Sequence, residues 1–181
     1  GVTTIKGKGT PDFTQVATTD EGMYAAKDYD GNDTFYFRGA VENNYVHFAG
    51  KYWRIIRVNG DGTVRMIYDG TSKHQNGEDS NDRKVGDSAF NSNWSDNAYV
   101  GYMYGTPGSD NYADTHANIN NSTIKNTIDA WYSKYLNNSY SNYIADAIYC
   151  NDRSLLSNDI GFGKNETSYN SYLRLDNEVF D

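Results

Sequence analysis

A single cysteine, Cys150, is present in the 181 residues of this chain, and one thiol excludes an internal disulfide framework. Such cysteine poverty suits the cytosol and the exterior of a Gram-positive cell alike. Only three histidines occur, His47, His74 and His116, too few for a histidine-rich metal centre. No metal and no cofactor are expected. Apolar runs are short throughout, none approaching the roughly 20 residues of a membrane span. No signal-peptide pattern is visible, and the chain opens on Gly1 rather than Met, as expected of a processed or excised protein. Basic charge is in deficit, with 16 Lys+Arg against 24 Asp+Glu, a net charge of -8 and a pI of about 4.8. That balance argues against a nucleic-acid partner, which needs a basic face. Leucine is scarce as well. Leu, Ile, Val and Phe together make 31 of 181 residues, about 17%, a share that taken alone falls in the disordered range.

What is present reverses that last reading. There are 17 Tyr, 7 Phe and 3 Trp, 15% of the chain, and each ring can bury a large area. A folded domain with a tyrosine-built core and a polar surface is expected, and the length suits one domain with a tail. Residues 1–20, rich in Thr, Gly and Lys, read as a linker or docked N-terminal arm, which Phe13 and Val16 can pin. Residues 21–181 read as a single α+β domain.

The segment Glu21–Tyr68 carries a β signal. Thr34-Phe35-Tyr36-Phe37-Arg38 is dense in β formers, and Tyr52–Val58 and Thr63–Tyr68 flank Asn59-Gly60-Asp61-Gly62, whose residues tolerate positive φ. A hairpin over 52–68 follows. Residues 69–120 are polar and too long for a bare connection, so they hold short elements or functional loops. Within them, Val100, Tyr102 and Tyr104 alternate with Gly101 and Met103, a pattern for a short strand. A helix over about 122–136 is predicted from Ile124, Ile128, Trp131, Tyr132, Tyr135 and Leu136 on one stripe. Asn121 or Ser122 can cap it, and Asn137-Asn138 is the expected stop.

Candidate chemistry is thin. Asp28, Asp30 and Asp33 offer oxygens of the kind Ca²⁺ takes, yet Gly31 stands at the wrong position for an EF-hand loop and no Glu closes it; an acidic hairpin turn is the preferred reading. Cys150, His116 and Asp152 are the minimum parts of a thiol hydrolase, but a buried structural cysteine is the ordinary explanation. No nucleophile elbow, P-loop, zincin or dinucleotide fingerprint occurs, and no catalytic residue is assigned. Trp94, Tyr99, Tyr102 and Tyr104 are the candidate ligand-binding residues, since aromatic faces stack on sugars and on partner proteins. For most of the four, filling the core of a leucine-poor protein is the preferred reading.

The runs Tyr36–Val46, Phe48-Ala49-Gly50 and Trp53–Gly62, with Asn97–Gly105, Asn121–Lys125, Trp131-Tyr132, Ile144-Ala145-Asp146, Cys150 and Asp152-Arg153-Ser154, resemble a family of uncharacterised cell-surface proteins of gut Firmicutes. The order of Trp-Arg strand, glycine turn and amphipathic helix is similar to domains with a C-type-lectin-like fold, including the formylglycine-generating-enzyme type. Members of that family continue into a second half with a further cysteine, so the resemblance implies either a fragment of such a fold or a short form that folds differently. The resemblance implies an extracellular, bacterial cell-surface location and an anchor outside this chain.

The expected architecture is therefore α+β: an antiparallel sheet from roughly 23–68 with later strands added, and the 122–136 helix packed on it through contacts to Trp53 or Ile55. The expected function is a non-enzymatic extracellular surface domain for ligand binding or adhesion, its partner a glycan or a host protein. The alternatives are a pilin-like or wall-associated structural module, and an enzyme of the formylglycine-generating or hydrolase type.

Overall fold

In the computed structural model, which describes residues 6–149 and 152–171, the β-rich segment folds into a five-stranded antiparallel sheet. Its strands are β1 (Asp20–Lys27), β2 (Asp33–Gly39), β3 (Tyr45–Phe48), β4 (Lys51–Val58) and β5 (Val64–Gly70). β1 pairs with β2 along its length, with one register shift between Asp20 and Gly22, and Tyr24 stacks on its cross-strand partner Tyr36 at 5.9 Å. β4 is the hub: β5 pairs along it, β3 meets its first half and β2 its last residues. β3 and β4 are joined by Ala49 and Gly50, both at positive φ, the geometry of a tight hairpin turn whose twist matches the strands. The β4–β5 hairpin forms where the sequence places it, with Asn59 N–H donating to Thr63 and Gly62 at φ 84°.

The N-terminal arm is docked by its backbone. Lys8 exchanges hydrogen bonds with Met23 and Ala25, and Gly7 is required there because a Cβ would lie 2.5 Å from the Ala25 nitrogen. Phe13 and Val16, the expected pins, are exposed; Phe13 instead lies beside the Arg38 guanidinium.

The chain divides into two compact units, Gly1–Val85 and Gly86–Asp181. The five-stranded sheet belongs to the first and the main helix to the second. Within the first unit, Trp53 packs on its own sheet. Its indole N–H donates to the Phe48 carbonyl at 2.9 Å and its ring meets Tyr68 edge-on at 5.4 Å.

The second unit holds β6 (Met103–Tyr104) and β7 (Asn120–Asn121), a separate two-stranded sheet rather than an extension of the first. A short helix, α1 (Tyr112–Thr115), lies between them in the sequence, and α2 (Thr123–Tyr132) follows. Ser122, fully buried, caps α2 by accepting from the Lys125 N–H at 3.1 Å. Ile124, Ile128, Trp131 and Tyr132 are half-buried and Leu136 is buried, as the stripe requires, but Tyr135 is exposed. The helix does not stop at Asn137-Asn138. Helical structure runs for 21 residues, through a π-type stretch at Ser133–Asn137 and on to Tyr143. Asn is a weak helix former rather than a breaker, and Asn138 adopts ordinary right-handed helical angles. The chain is thus of the α+β class, built of antiparallel sheets and one main helix.

The interior differs from the expected tyrosine core. The largest fully buried side chains among the described residues are Thr34, Asp69, Thr115 and Ser122. The rings of Tyr24, Tyr36, Trp53 and Tyr68 are half-buried on the sheet. Large rings are rarely covered completely, whereas small polar groups can be, provided each finds a hydrogen bond.

Candidate functional site

Trp94 stands on an irregular loop of the second unit with its side chain almost entirely in solvent, at 94% relative exposure. It rims a cleft of about 470 Å³ whose other walls include Asp96, Asn97, Lys164, Glu166 and Tyr169. Pockets of this volume lie in the range that takes small ligands.

The floor is fixed by two side chains. Asp96 accepts from the Ala98 N–H at 2.9 Å, starting a single turn of 3₁₀ helix over Asn97–Val100, and from the Gly108 N–H at 2.8 Å. Asn97 is buried and its amide donates to the carbonyls of Phe162, Gly163 and Asn165 at 3.3, 3.0 and 2.8 Å, while its backbone N–H donates to Gly163 at 2.9 Å. One asparagine thus staples the 162–165 loop to the floor. Gly161 allows the loop's approach: it sits at φ 67°, and a Cβ would fall 2.7 Å from Leu155 and 2.9 Å from Tyr112.

Behind the floor lies an aromatic and polar cluster. The Tyr169 hydroxyl donates toward Asn97 Oδ1 at 3.3 Å and lies 3.4 Å from His116 Nε2. His116 is buried against Tyr112, ring centroids 4.3 Å apart. Burial, and secondly the Arg153 charge, lower its pKa below 6.5, so the imidazole is neutral at pH 7. Burial, then Tyr112, push the Tyr169 phenol up to about 12. Arg153 ties the cluster together, donating to the carbonyls of Met103 and His116 and to Asn118. The cleft floor thus carries the Asp96 carboxylate, both of whose oxygens accept from backbone N–H groups, beside the neutral Asn97 amide and Tyr169 phenol. The exposed Lys164 and Glu166 at its walls carry opposite signs.

Of the four aromatic candidates, Trp94 alone lines this cleft. Tyr99 and Tyr104 pack on each other at 4.9 Å, half-buried. Tyr102 lies near the Lys125 ammonium, 5.9 Å from its ring centre; burial and the Asp129 carboxylate raise its pKa. The cleft's polar residues, Asp96, Asn97 and Tyr169, carry no sequence motif and were not foreseeable from spacing. The only trace is Gly161-Phe162-Gly163-Lys164, whose two glycines both adopt positive φ.

The other sequence candidates resolve as follows. Cys150 lies outside the described residues. Asp152 accepts from the Ser154 N–H and hydroxyl, closing a local turn. Asp28 accepts from the backbone and side chain of Asn32, and Asp33 pairs with Lys27 at 2.7 Å, so these carboxylates brace the β1–β2 turn. Among the described residues no helix is long and apolar enough to cross a membrane. Comparison with protein-family models, with curated proteins and with solved structures finds no match to this chain.

Proposed function

We propose that this chain is a non-enzymatic, extracellular ligand-binding domain of a bacterial surface, and that it takes a glycan at the Trp94 cleft. The observation that carries this reading is the nearly complete exposure of an indole at the mouth of a cleft whose floor is polar and pre-ordered. A pyranose ring has an apolar face, which stacks on an aromatic plane, and a rim of hydroxyls, which exchange hydrogen bonds with amides, carboxylates and ammonium groups. Lys164, Glu166 and Asp96 supply such groups here. A rigid floor also lowers the ordering cost of binding. The surface location rests on the resemblance to cell-surface proteins and on the acidic composition, which suits a solvated exterior.

The test is a glycan array probed with the whole chain and with Trp94→Ala. A saccharide class bound by the native chain and released by the variant is the expected result. No glycan bound, or equal binding by both proteins, overturns the proposal.

A further inference from the structure

The first unit contains a buried histidine that the Trp94 cleft does not use. We infer that residues 70–83 form a loop latched by a protonated His74, a pH-sensitive clasp that sets the wall of a second pocket. The inference stands on the first unit alone and is independent of glycan binding.

The His74 side chain is 5% exposed and has a carboxylate at each ring nitrogen: Glu78 Oε1 lies 2.9 Å from Nδ1, and Asp82 Oδ1 lies 2.8 Å from Nε2. An ionised carboxylate only accepts, and a neutral imidazole carries only one N–H. A neutral ring would therefore set a nitrogen lone pair against a carboxylate oxygen at less than 3 Å. The imidazolium donates to both, so the geometry calls for the charged form.

Asp82 is held ionised by other donors. It accepts from the Ser80 hydroxyl at 2.5 Å and from the Thr71 N–H and hydroxyl, each at 2.9 Å. The Ser80 hydroxyl, and after it His74, keep its carboxyl far below the usual carboxylate range. His74, and after it the Gln75 N–H, lower Glu78. The histidine is then the member of the trio that changes charge near neutrality, and Glu78, followed by Asp82, raises its pKa above 6.5. The other charged groups around the residue include Arg54, which donates to the His74 carbonyl, the Arg83–Asp69 pair behind it, Lys73 beside Tyr45 at the pocket mouth, and the Glu42 carboxylate, which lines the same pocket.

The latch spans one segment. Gly70, at φ 118°, starts it, and a Cβ there would come within 2.7 Å of Asp82 and 3.0 Å of His74. Lys73, His74, Gln75 and Asn76 wall a pocket of about 280 Å³ against Tyr45 and Arg54 of the sheet. Opening the latch frees that wall.

The sign follows from linkage. A raised histidine contributes stability that is complete below its unfolded value, near 6.5, and is lost as pH rises through its folded value. The lowered carboxylates contribute above their ordinary values of 4.5 and 3.8 and lose their contribution as pH falls below them. The loop is thus shut most firmly between the carboxylate range and about pH 6.5, loosens as pH rises toward the raised histidine value, and is open above it.

The experiment is a ¹⁵N-histidine NMR titration of the whole chain, with amide exchange of residues 71–76 followed in parallel. At pH 6 both His74 ring nitrogens are expected to carry protons. The midpoint is expected above 6.5. Loop exchange, corrected for base catalysis, should rise about tenfold for every unit by which that midpoint exceeds 6.5. Glu78→Gln, at a half-exposed position, keeps the fold and moves both the midpoint and the loop opening to lower pH. A single ring proton at pH 6, a midpoint at or below 6.5, or loop exchange indifferent to the midpoint overturns the inference. An unchanged titration in Glu78→Gln does the same.

Discussion

Replacing Asp69 with Ala tests how the first unit is held together. Asp69 is 1% exposed, and its Oδ1 lies 3.4 Å from Arg54 Nε and 3.0 Å from Arg83 Nη2. It reaches Arg54 because the β4–β5 register slips between Trp53 and Tyr52, which makes Asp69 the extra residue of a bulge. Arg54 is itself buried and donates to the Val41 carbonyl at 2.8 Å, to Asn44 Oδ1 at 3.3 Å, to the Tyr45 hydroxyl and to the His74 carbonyl. Those acceptors are neutral. Removing Asp69 leaves the guanidinium hydrogen-bonded but without its counter-charge in a low-dielectric setting. Breaking a buried pair from one side costs about 3–5 kcal/mol. Arg83 is only partly buried and can turn to solvent, which places the expectation at the lower end, about 3 kcal/mol. For a unit of this size that corresponds to a fall in midpoint temperature of roughly 12 °C or more. Native-state hydrogen exchange of β4 and β5 amides reads the loss unit by unit. A change below about 1 kcal/mol, the value of an exposed pair, would refute the claim that Arg54 and Asp69 are the electrostatic centre of the sheet.

Three further outcomes are expected. Ser122→Ala removes the α2 cap and should cost about 1 kcal/mol, read as faster exchange of the first-turn amides with no effect on the five-stranded sheet. His116 is lowered by burial, so the second unit should lose stability as pH falls through about 6.5. The His74 latch does the opposite, and exchange at pH 5.5 and 7.5 should separate the two units; identical pH responses would contradict both assignments. Trp94→Ala should leave thermal stability within about 0.5 kcal/mol, the ordinary range for an exposed site, while weakening glycan binding by roughly tenfold or more.

Local chemistry made part of this fold readable. The β4–β5 hairpin follows from β-formers around an Asn-Gly-Asp-Gly loop, and the Ser122 cap from a hydroxyl placed just before an apolar stripe. The sequence did not reveal the bulge that turns Asp69 toward Arg54, because a register slip depends on partners that are distant in the chain. It suggested a helix end at Asn137-Asn138, where a π-type stretch carries the helix onward. The aromatic count pointed to a tyrosine interior, yet the deepest positions went to Thr34, Asp69, Thr115 and Ser122, whose hydrogen bonds no composition can display. Trp94 was among the named candidates, but the cleft beside it was not legible. Asn97 meets the 162–165 loop across more than sixty residues, and nothing in the spacing of those segments predicts the meeting.

The central claim, that Trp94 is a ligand platform, is tested most directly by following the indole N–H signals of Trp53, Trp94 and Trp131 while a saccharide is titrated into the whole chain. The account predicts that the Trp94 signal moves saturably and the other two stay in place, since Trp53 already donates to Phe48 at 2.9 Å and Trp131 lies half-buried on α2. A bound saccharide that leaves the Trp94 signal unmoved, or that shifts Trp53 or Trp131 instead, would contradict it.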